Sequence, residues 1–140
     1  MAKAIKENTD DGVGKRILIE LYECENVVLD DVDLFKSVIK EAAAKTHATI
    51  MSSVGYKLGG PPSTHPAAKY FPDGLTVFVG LEGGHIICHT EVGIKFISID
   101  ILTCDKETKP RAAVNYILSE FKYREKKVKY IDRFAEKIIT

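Results

Sequence analysis

The chain has 140 residues, 45% hydrophobic and 29% charged, which is typical of one globular domain with a single core. Its twenty basic residues balance twenty acidic ones, so no overall charge attracts nucleic acid or an anionic membrane, and a charged ligand needs local contacts. The apolar runs are too short to cross a bilayer, so we expect no membrane-spanning segment.

The first part of the chain predicts an arm, a strand and a helix. Residues 1–14 are polar and lack periodicity, so we expect a flexible N-terminal arm before a single domain over residues 15–140. The β-favouring run Ile17–Cys24 predicts a strand that is buried on both faces, or nearly so. Asp30 and Asp31 suit the N-cap of a helix whose apolar positions recur every three or four residues. Those positions are Leu34, Phe35, Val38, Ile39, Ala42 and Ala43.

The middle of the chain predicts a strand, a long loop and a hairpin. Ala48–Leu58 has a strand-like pattern, and the prolines of the following segment, 59–72, forbid regular pairing. Leu75–Leu81 and His85–Thr90 are rich in β-branched and aromatic residues. The intervening sequence Glu82-Gly83-Gly84 favours a tight turn, so these two runs form the predicted hairpin.

The last part of the chain completes the predicted fold. In Lys95–Thr103 isoleucines alternate with other residues, so one strand face is apolar and the other is mixed. The mixed face consists of Phe96, Ser98, Asp100 and Leu102. Pro110 suits the first turn of a second helix, and Val128–Ile131 supplies a last strand. Two helices and about six mostly antiparallel strands predict an α+β fold, a two-layer sandwich with both helices on one face of the sheet.

Several polar residues are candidates for a site. His85 and His89 would share one face of a strand but stand roughly 13 Å apart at about 3.3 Å per residue, too far to chelate one ion, so we expect no metal site. Asp100 lies in an apolar strand and needs a partner if buried, which marks it as a network residue or a ligand contact. The basic cluster from Lys122 to Lys129 predicts a solvated face, not a nucleic-acid site.

The three cysteines indicate a reducing compartment. Their odd number and irregular spacing argue against a disulfide scaffold, and we expect a cytoplasmic protein. Cys24 and Cys88 are expected to be small buried hydrophobes. Cys104 follows the strand with the mixed face, which favours it as a site residue over core filling.

Three motifs occur in one order along the chain: Leu18–Cys24, Gly84–Thr90 and Ile99–Cys104. Their combination resembles the small prokaryotic S-adenosylmethionine decarboxylase family, and the likeness extends from about Ile17 to Phe121. The resemblance implies an enzyme of spermidine biosynthesis that cuts its own chain at an internal serine. That serine becomes a pyruvoyl cofactor, which forms a Schiff base with the substrate amine and accepts electrons as carbon dioxide leaves.

The resemblance also implies the site residues. In the family a glutamate-serine pair lies on the hairpin, five residues before the histidine of a histidine-threonine pair, which places Gly83 and Gly84 at the two hairpin positions. Self-cleavage begins when the serine hydroxyl attacks the preceding carbonyl carbon, so a glycine cannot start it and we expect no pyruvoyl cofactor. By position, His89 would assist processing and Cys104 would donate a proton to the decarboxylated product.

Three functional hypotheses follow. The first is a homologue that does not process itself, is homodimeric or paired with an active paralogue, and binds S-adenosylmethionine or a polyamine-related ligand through Glu20 and Asp100. The second is an enzyme on S-adenosylmethionine or an amino acid with His89 and Cys104 as acid and base. The third is an interaction module without a small-molecule ligand. A displaced cleavage site at Ser63 or Thr64 is disfavoured by the surrounding prolines.

Overall fold

An antiparallel sheet of six strands with two helices on one face forms the described part of the chain, residues 15–25, 28–58, 73–104 and 108–132 of a computed structural model. In chain order the elements are β1 (Lys15–Tyr22), α1 (Val32–Lys45), β2 (Ile50–Leu58), β3 (Gly74–Leu81), β4 (Gly84–Glu91), β5 (Phe96–Leu102), α2 (Pro110–Glu120) and β6 (Glu125–Asp132). The predicted α+β sandwich is confirmed. The predicted arm, 1–14, and the predicted loop, 59–72, lie outside the described residues.

The strand order is β2-β3-β4-β5-β1-β6, and every neighbouring pair is antiparallel. The strands β2 to β5 follow one another as sequential neighbours. The first strand of the chain then lies between β5 and β6, so residues from the start of the chain stand beside those of the mixed-face strand.

Both helices form where the sequence predicts them. The Asp31 side chain accepts a hydrogen bond from the Leu34 backbone N–H at 3.1 Å, which caps the first turn of α1. Pro110 occupies the first turn of α2, where its missing N–H costs nothing. The stacked rings of Phe35 and Phe121, 5.3 Å apart, link α1 to the end of α2 within one core.

The prediction that the first strand is buried on both faces is wrong. Ile17, Ile19 and Leu21 are fully buried, but the alternate residues Leu18 and Glu20 keep partial exposure. Both helices pack on the same side of the sheet, so only one face of β1 contacts the core. An apolar run shows that a strand is internal to a sheet but does not show how many of its faces are covered.

Three smaller predictions are also tested. The first strand, predicted over Ile17–Cys24, ends earlier, at Tyr22, and Glu23 lies beyond it with a φ of 51°. The hairpin turn is confirmed at Glu82 and Gly83, where Gly83 has a φ of 83° that favours glycine. The basic side chains of the last strand and the segment before it are exposed, as predicted.

Candidate functional site

The predicted site residues lie on the sheet face opposite the helices. We call this the open face, because no element covers it within the described part of the chain. Cross-strand register shows which side chains share it. Its central members are Leu18, Glu20, Thr76, Phe78, His85, Ile87, His89, Phe96, Ser98, Asp100 and Leu102.

A line of polar side chains crosses the whole open face at one level. Each member is the direct register partner of the next, from β6 through β1, β5, β4 and β3 to β2. This polar row consists of Lys127, Glu20, Ser98, His89, Thr76 and Tyr56. Neighbouring strands are about 4.8 Å apart, so Glu20 and His89 are separated by about 10 Å with Ser98 between them. The row therefore offers a carboxylate, hydroxyls and an imidazole to one extended ligand.

Hydrogen bonds hold Glu20 and His89, which lie on either side of Ser98 in the polar row. The Thr76 hydroxyl lies 3.0 Å from Nδ1 of His89, which orients the exposed imidazole. The Tyr22 hydroxyl donates to the Glu20 carboxylate at 2.9 Å. This bond to Glu20, followed by burial and by the charges of Glu20 and Glu125, raises the pKa of Tyr22 above 10.0. Tyr22 therefore stays a neutral donor, and Glu20 keeps a fixed orientation on the open face.

Asp100 is a network residue. Its two carboxylate oxygens accept from Nε and Nη2 of Arg16 at 3.3 and 2.9 Å, across the β1–β5 ladder. The ion pair is partly exposed, so its contribution to stability is small, on the order of 0–1 kcal/mol. Because Asp100 already has a cationic partner, Glu20 is the better candidate of the two for a cationic ligand.

The hairpin turn and Cys104 form a second group at one end of the sheet. A Cβ placed on Gly83 would lie 3.7 Å from the Cβ of Cys104, an ordinary contact distance. A Cβ placed on Gly84 would lie 2.0 Å from the backbone oxygen of Leu102, where no atom fits. The turn is therefore closed against the end of β5 at the position where the resemblance implies a serine.

His89 is not part of this second group. It is opposite Ser98, whereas Leu102 is about 13 Å further along β5 and Cys104 lies beyond the end of that strand. Within one chain, His89 and Cys104 cannot contact the same atom of a small substrate. The resemblance implies a role for each of these two residues, and within one chain they lie at different ends of β5.

The three cysteines differ in exposure. Burial raises the pKa of Cys24 to about 11, and burial together with the nearby Cys24 thiol raises the pKa of Cys88 above its ordinary 9.0. Both thiols are buried, as predicted, and Cys104 is partly exposed. Cys104 is thus the thiol that solvent and a ligand can reach.

We expect the folded chain to react with a maleimide at Cys104 alone, because Cys24 and Cys88 are both protonated and buried. Mass spectrometry should find one label per native chain and three after denaturation. The Cys104→Ser variant should take up no label while folded. Labelling of Cys88 at a rate close to that of Cys104 would contradict the structure.

Metal ligands are not clustered in the described residues: no group of three or more His, Cys, Asp or Glu side chains could hold one ion. His85 and His89 both lie on β4, as the estimate of their separation assumed. The His85 ring packs near the Phe78 ring, with 6.0 Å between the ring centres. Neither described helix is long and apolar enough to cross a membrane.

Sequence reasoning missed the residues that complete the polar row. Ser98 and Thr76 belong to it only because cross-strand register places them beside His89. Single hydroxyl residues on strands carry no sequence signal of this kind. The alternation in β5 was the one available indication for Ser98, since it assigned that residue to the mixed face.

Comparisons with known proteins agree on one family. The family model described as S-adenosylmethionine decarboxylase matches residues 15–134. An S-adenosylmethionine decarboxylase proenzyme of Pyrobaculum neutrophilum is 34% identical over 122 residues, 86% of this chain and 89% of the relative. One from Sulfurisphaera tokodaii is 30% identical over 124 residues, 89% and 91% of the two chains. The crystal structure of the Aquifex aeolicus adenosylmethionine decarboxylase has the same fold, with a TM-score of 0.66 at 23% identity over 88% of this chain and 92% of that one.

Proposed function

Because the chain belongs to the S-adenosylmethionine decarboxylase family, we propose that it is a member that does not cut itself and carries no pyruvoyl group. The observation that supports this most directly is at Gly84. The residue has no hydroxyl to attack the preceding carbonyl, and the space a side chain needs there is filled by the Leu102 backbone. The residues present therefore do not fit a pyruvoyl group at this position.

We further propose that the open face binds a cationic ligand of the S-adenosylmethionine or polyamine type. Such a ligand carries a sulfonium or ammonium charge, and the chain has no net charge to attract it from a distance. The Glu20 carboxylate is held by Tyr22 and has lone pairs left for a cation. Ser98 and His89 follow it along the polar row and can contact the rest of an extended molecule.

Calorimetry tests this ligand proposal. We expect S-adenosylmethionine, its decarboxylated form or spermidine to bind, and Glu20→Gln to weaken binding by roughly 10- to 100-fold, since a bond to a charged group contributes about 1.5–3 kcal/mol. Glu23→Gln is the matched control, because Glu23 lies beyond the strand and faces Arg124 at 3.7 Å. If all three compounds fail to bind, the interaction-module hypothesis replaces this one.

A homodimer, or a pair with an active paralogue, is the proposed assembly. The separation of His89 from Cys104 within one chain favours it, because a site that uses both groups needs residues from two chains. The same separation argues against the hypothesis of an acid-base enzyme acting within a single chain. The odd number and irregular spacing of the three cysteines support a reducing, cytoplasmic setting.

Intact mass spectrometry tests the absence of processing. Freshly purified protein should give one species near 15.6 kDa that does not react with hydrazine reagents. Two fragments, one of them with a carbonyl at its N-terminus, would show that the chain cuts itself at another residue. That result would contradict the proposal and would indicate a self-processing decarboxylase.

A further inference from the structure

The two edge strands of the sheet differ sharply in charge. β6 carries five charged residues among eight, as expected for an edge that is protected from pairing with other chains. β2 carries one charged residue among nine, Lys57. The outer edge of β2 has no partner strand among the described residues. Charge therefore protects one edge of the sheet and leaves the other available.

The exposed apolar side chains are concentrated on this unprotected edge. Four of the seven large apolar side chains that are exposed in the described part of the chain lie on β2. They are Met51, Val54, Tyr56 and Leu58. Val54 and Tyr56, at the centre of the strand, are 49% and 52% exposed, because no described strand lies beside them on the outer side of β2. Burial of these groups would favour addition of a further strand.

The single charge on β2 does not oppose pairing. The Lys57 ammonium lies 3.4 Å from the Asp30 carboxylate of the same chain. Two copies of the strand would thus meet without an unbalanced pair of like charges. A second copy of the chain suits this edge because its own β2 offers the same apolar residues in a register that matches them.

We propose that the outer edge of β2 pairs antiparallel with β2 of a second copy of this chain, centred on Gly55. The bulge between Ile50 and Ser52 leaves Ser52–Leu58 as the regular part of the edge. A pairing centred on Gly55 includes all of Ser52–Leu58. It sets Val54 opposite Tyr56 of the other copy twice, an aliphatic-aromatic pairing that strands favour, and it sets Lys57 opposite Ser53. The backbone groups that would pair lie in the plane of the sheet, so this contact extends the sheet sideways, whereas the side chains of Val54 and Tyr56 project from the open face beside Phe78 and Thr76.

Paired cysteines test both the partner and the register. Directly opposite residues in an antiparallel pair have Cα atoms about 4.5–5.5 Å apart, within the range that a disulfide spans. The double variant Val54→Cys/Tyr56→Cys should therefore form a covalent dimer on mild oxidation, and each single variant should form far less. Lys127→Cys/Lys129→Cys is the matched control, with the same spacing on the open face of the other edge strand. Equal cross-linking of both double variants would overturn the proposal.

Light scattering supplies the second readout. Val54→Lys should halve the molar mass of the assembly, whether the wild type is a dimer or a tetramer, because it places like charges beside each other at the paired edge. Asn115→Lys, on the exposed side of α2, should leave the mass unchanged. A wild-type mass of 15.6 kDa, or a mass that Val54→Lys does not change, would show that something else covers the edge, such as residues 59–72 of the same chain. Neither result bears on self-processing, which is read from the intact mass.

Discussion

Replacement of Gly84 by serine is expected to leave the chain uncut and to destabilise it by about 3 kcal/mol or more. The new Cβ would lie 2.0 Å from the Leu102 backbone oxygen and 2.9 Å from its carbonyl carbon. These are main-chain atoms of a paired strand, so they cannot yield as a flexible side chain would. The hairpin must move away from β5, and overpacking of this kind typically costs 1–3 kcal/mol even when only side chains rearrange.

The added hydroxyl is not expected to cause cleavage. The resemblance assigns help in processing to His89, which lies five residues further along β4, about 16 Å away in the same chain. Gly83 has a φ of 83°, which a glutamate at that position would adopt only with strain. Placing a glutamate-serine pair at positions 83 and 84 therefore demands a different turn and not just two different side chains.

Urea unfolding and intact mass measure the two parts of this expectation. Gly93→Ser is the matched control, because a Cβ on Gly93 has no atom within 4 Å and its residue lies in an exposed turn. It should change the free energy of unfolding by less than about 0.5 kcal/mol. If Gly84→Ser is as stable as the wild type, the turn is more adaptable than the structure indicates. If the Gly84→Ser variant also cuts itself, Gly84 alone prevents self-cleavage in the wild-type chain.

Local patterns were enough to predict the elements and the faces of β5. Alternation of isoleucine with Ser98 and Asp100 gave the buried and the mixed side correctly, because successive side chains of a strand point to opposite faces. The same reasoning failed for the run that begins at Ile17. Leu18 is apolar but only partly buried, and its environment depends on which side of the sheet the helices cover.

The site was harder to predict because it depends on contacts far apart in the chain. Glu20 and His89 are brought to one level by the insertion of β1 between β5 and β6, and Ser98 becomes their common neighbour. No periodicity encodes that insertion. The resemblance implied roles for both His89 and Cys104 but did not show that they lie at different ends of β5.

His89 and Thr90, which resemble the histidine-threonine pair of the family, differ in their surroundings. His89 is exposed on the open face, whereas Thr90 is 1% exposed and faces the core. The Thr90 hydroxyl accepts a hydrogen bond from the Leu75 N–H and donates one to the Leu29 carbonyl. It thereby connects the end of the β3–β4 hairpin to the segment that leads into α1. This residue supports the fold, and the neighbouring histidine is the one available for chemistry.

Thr90→Val is expected to destabilise the chain by about 2–6 kcal/mol, because valine keeps the shape but leaves a buried N–H and a buried carbonyl without partners, at about 1–3 kcal/mol each. Thr90→Ser keeps the hydroxyl and should lose only about 1 kcal/mol for the missing methyl group. Thr49→Val, at an exposed side chain, is the control and should change the free energy of unfolding by less than about 0.5 kcal/mol. Urea denaturation separates the three variants. Equal losses for valine and serine at position 90 would mean that packing of the methyl group, and not the two hydrogen bonds, explains the buried threonine.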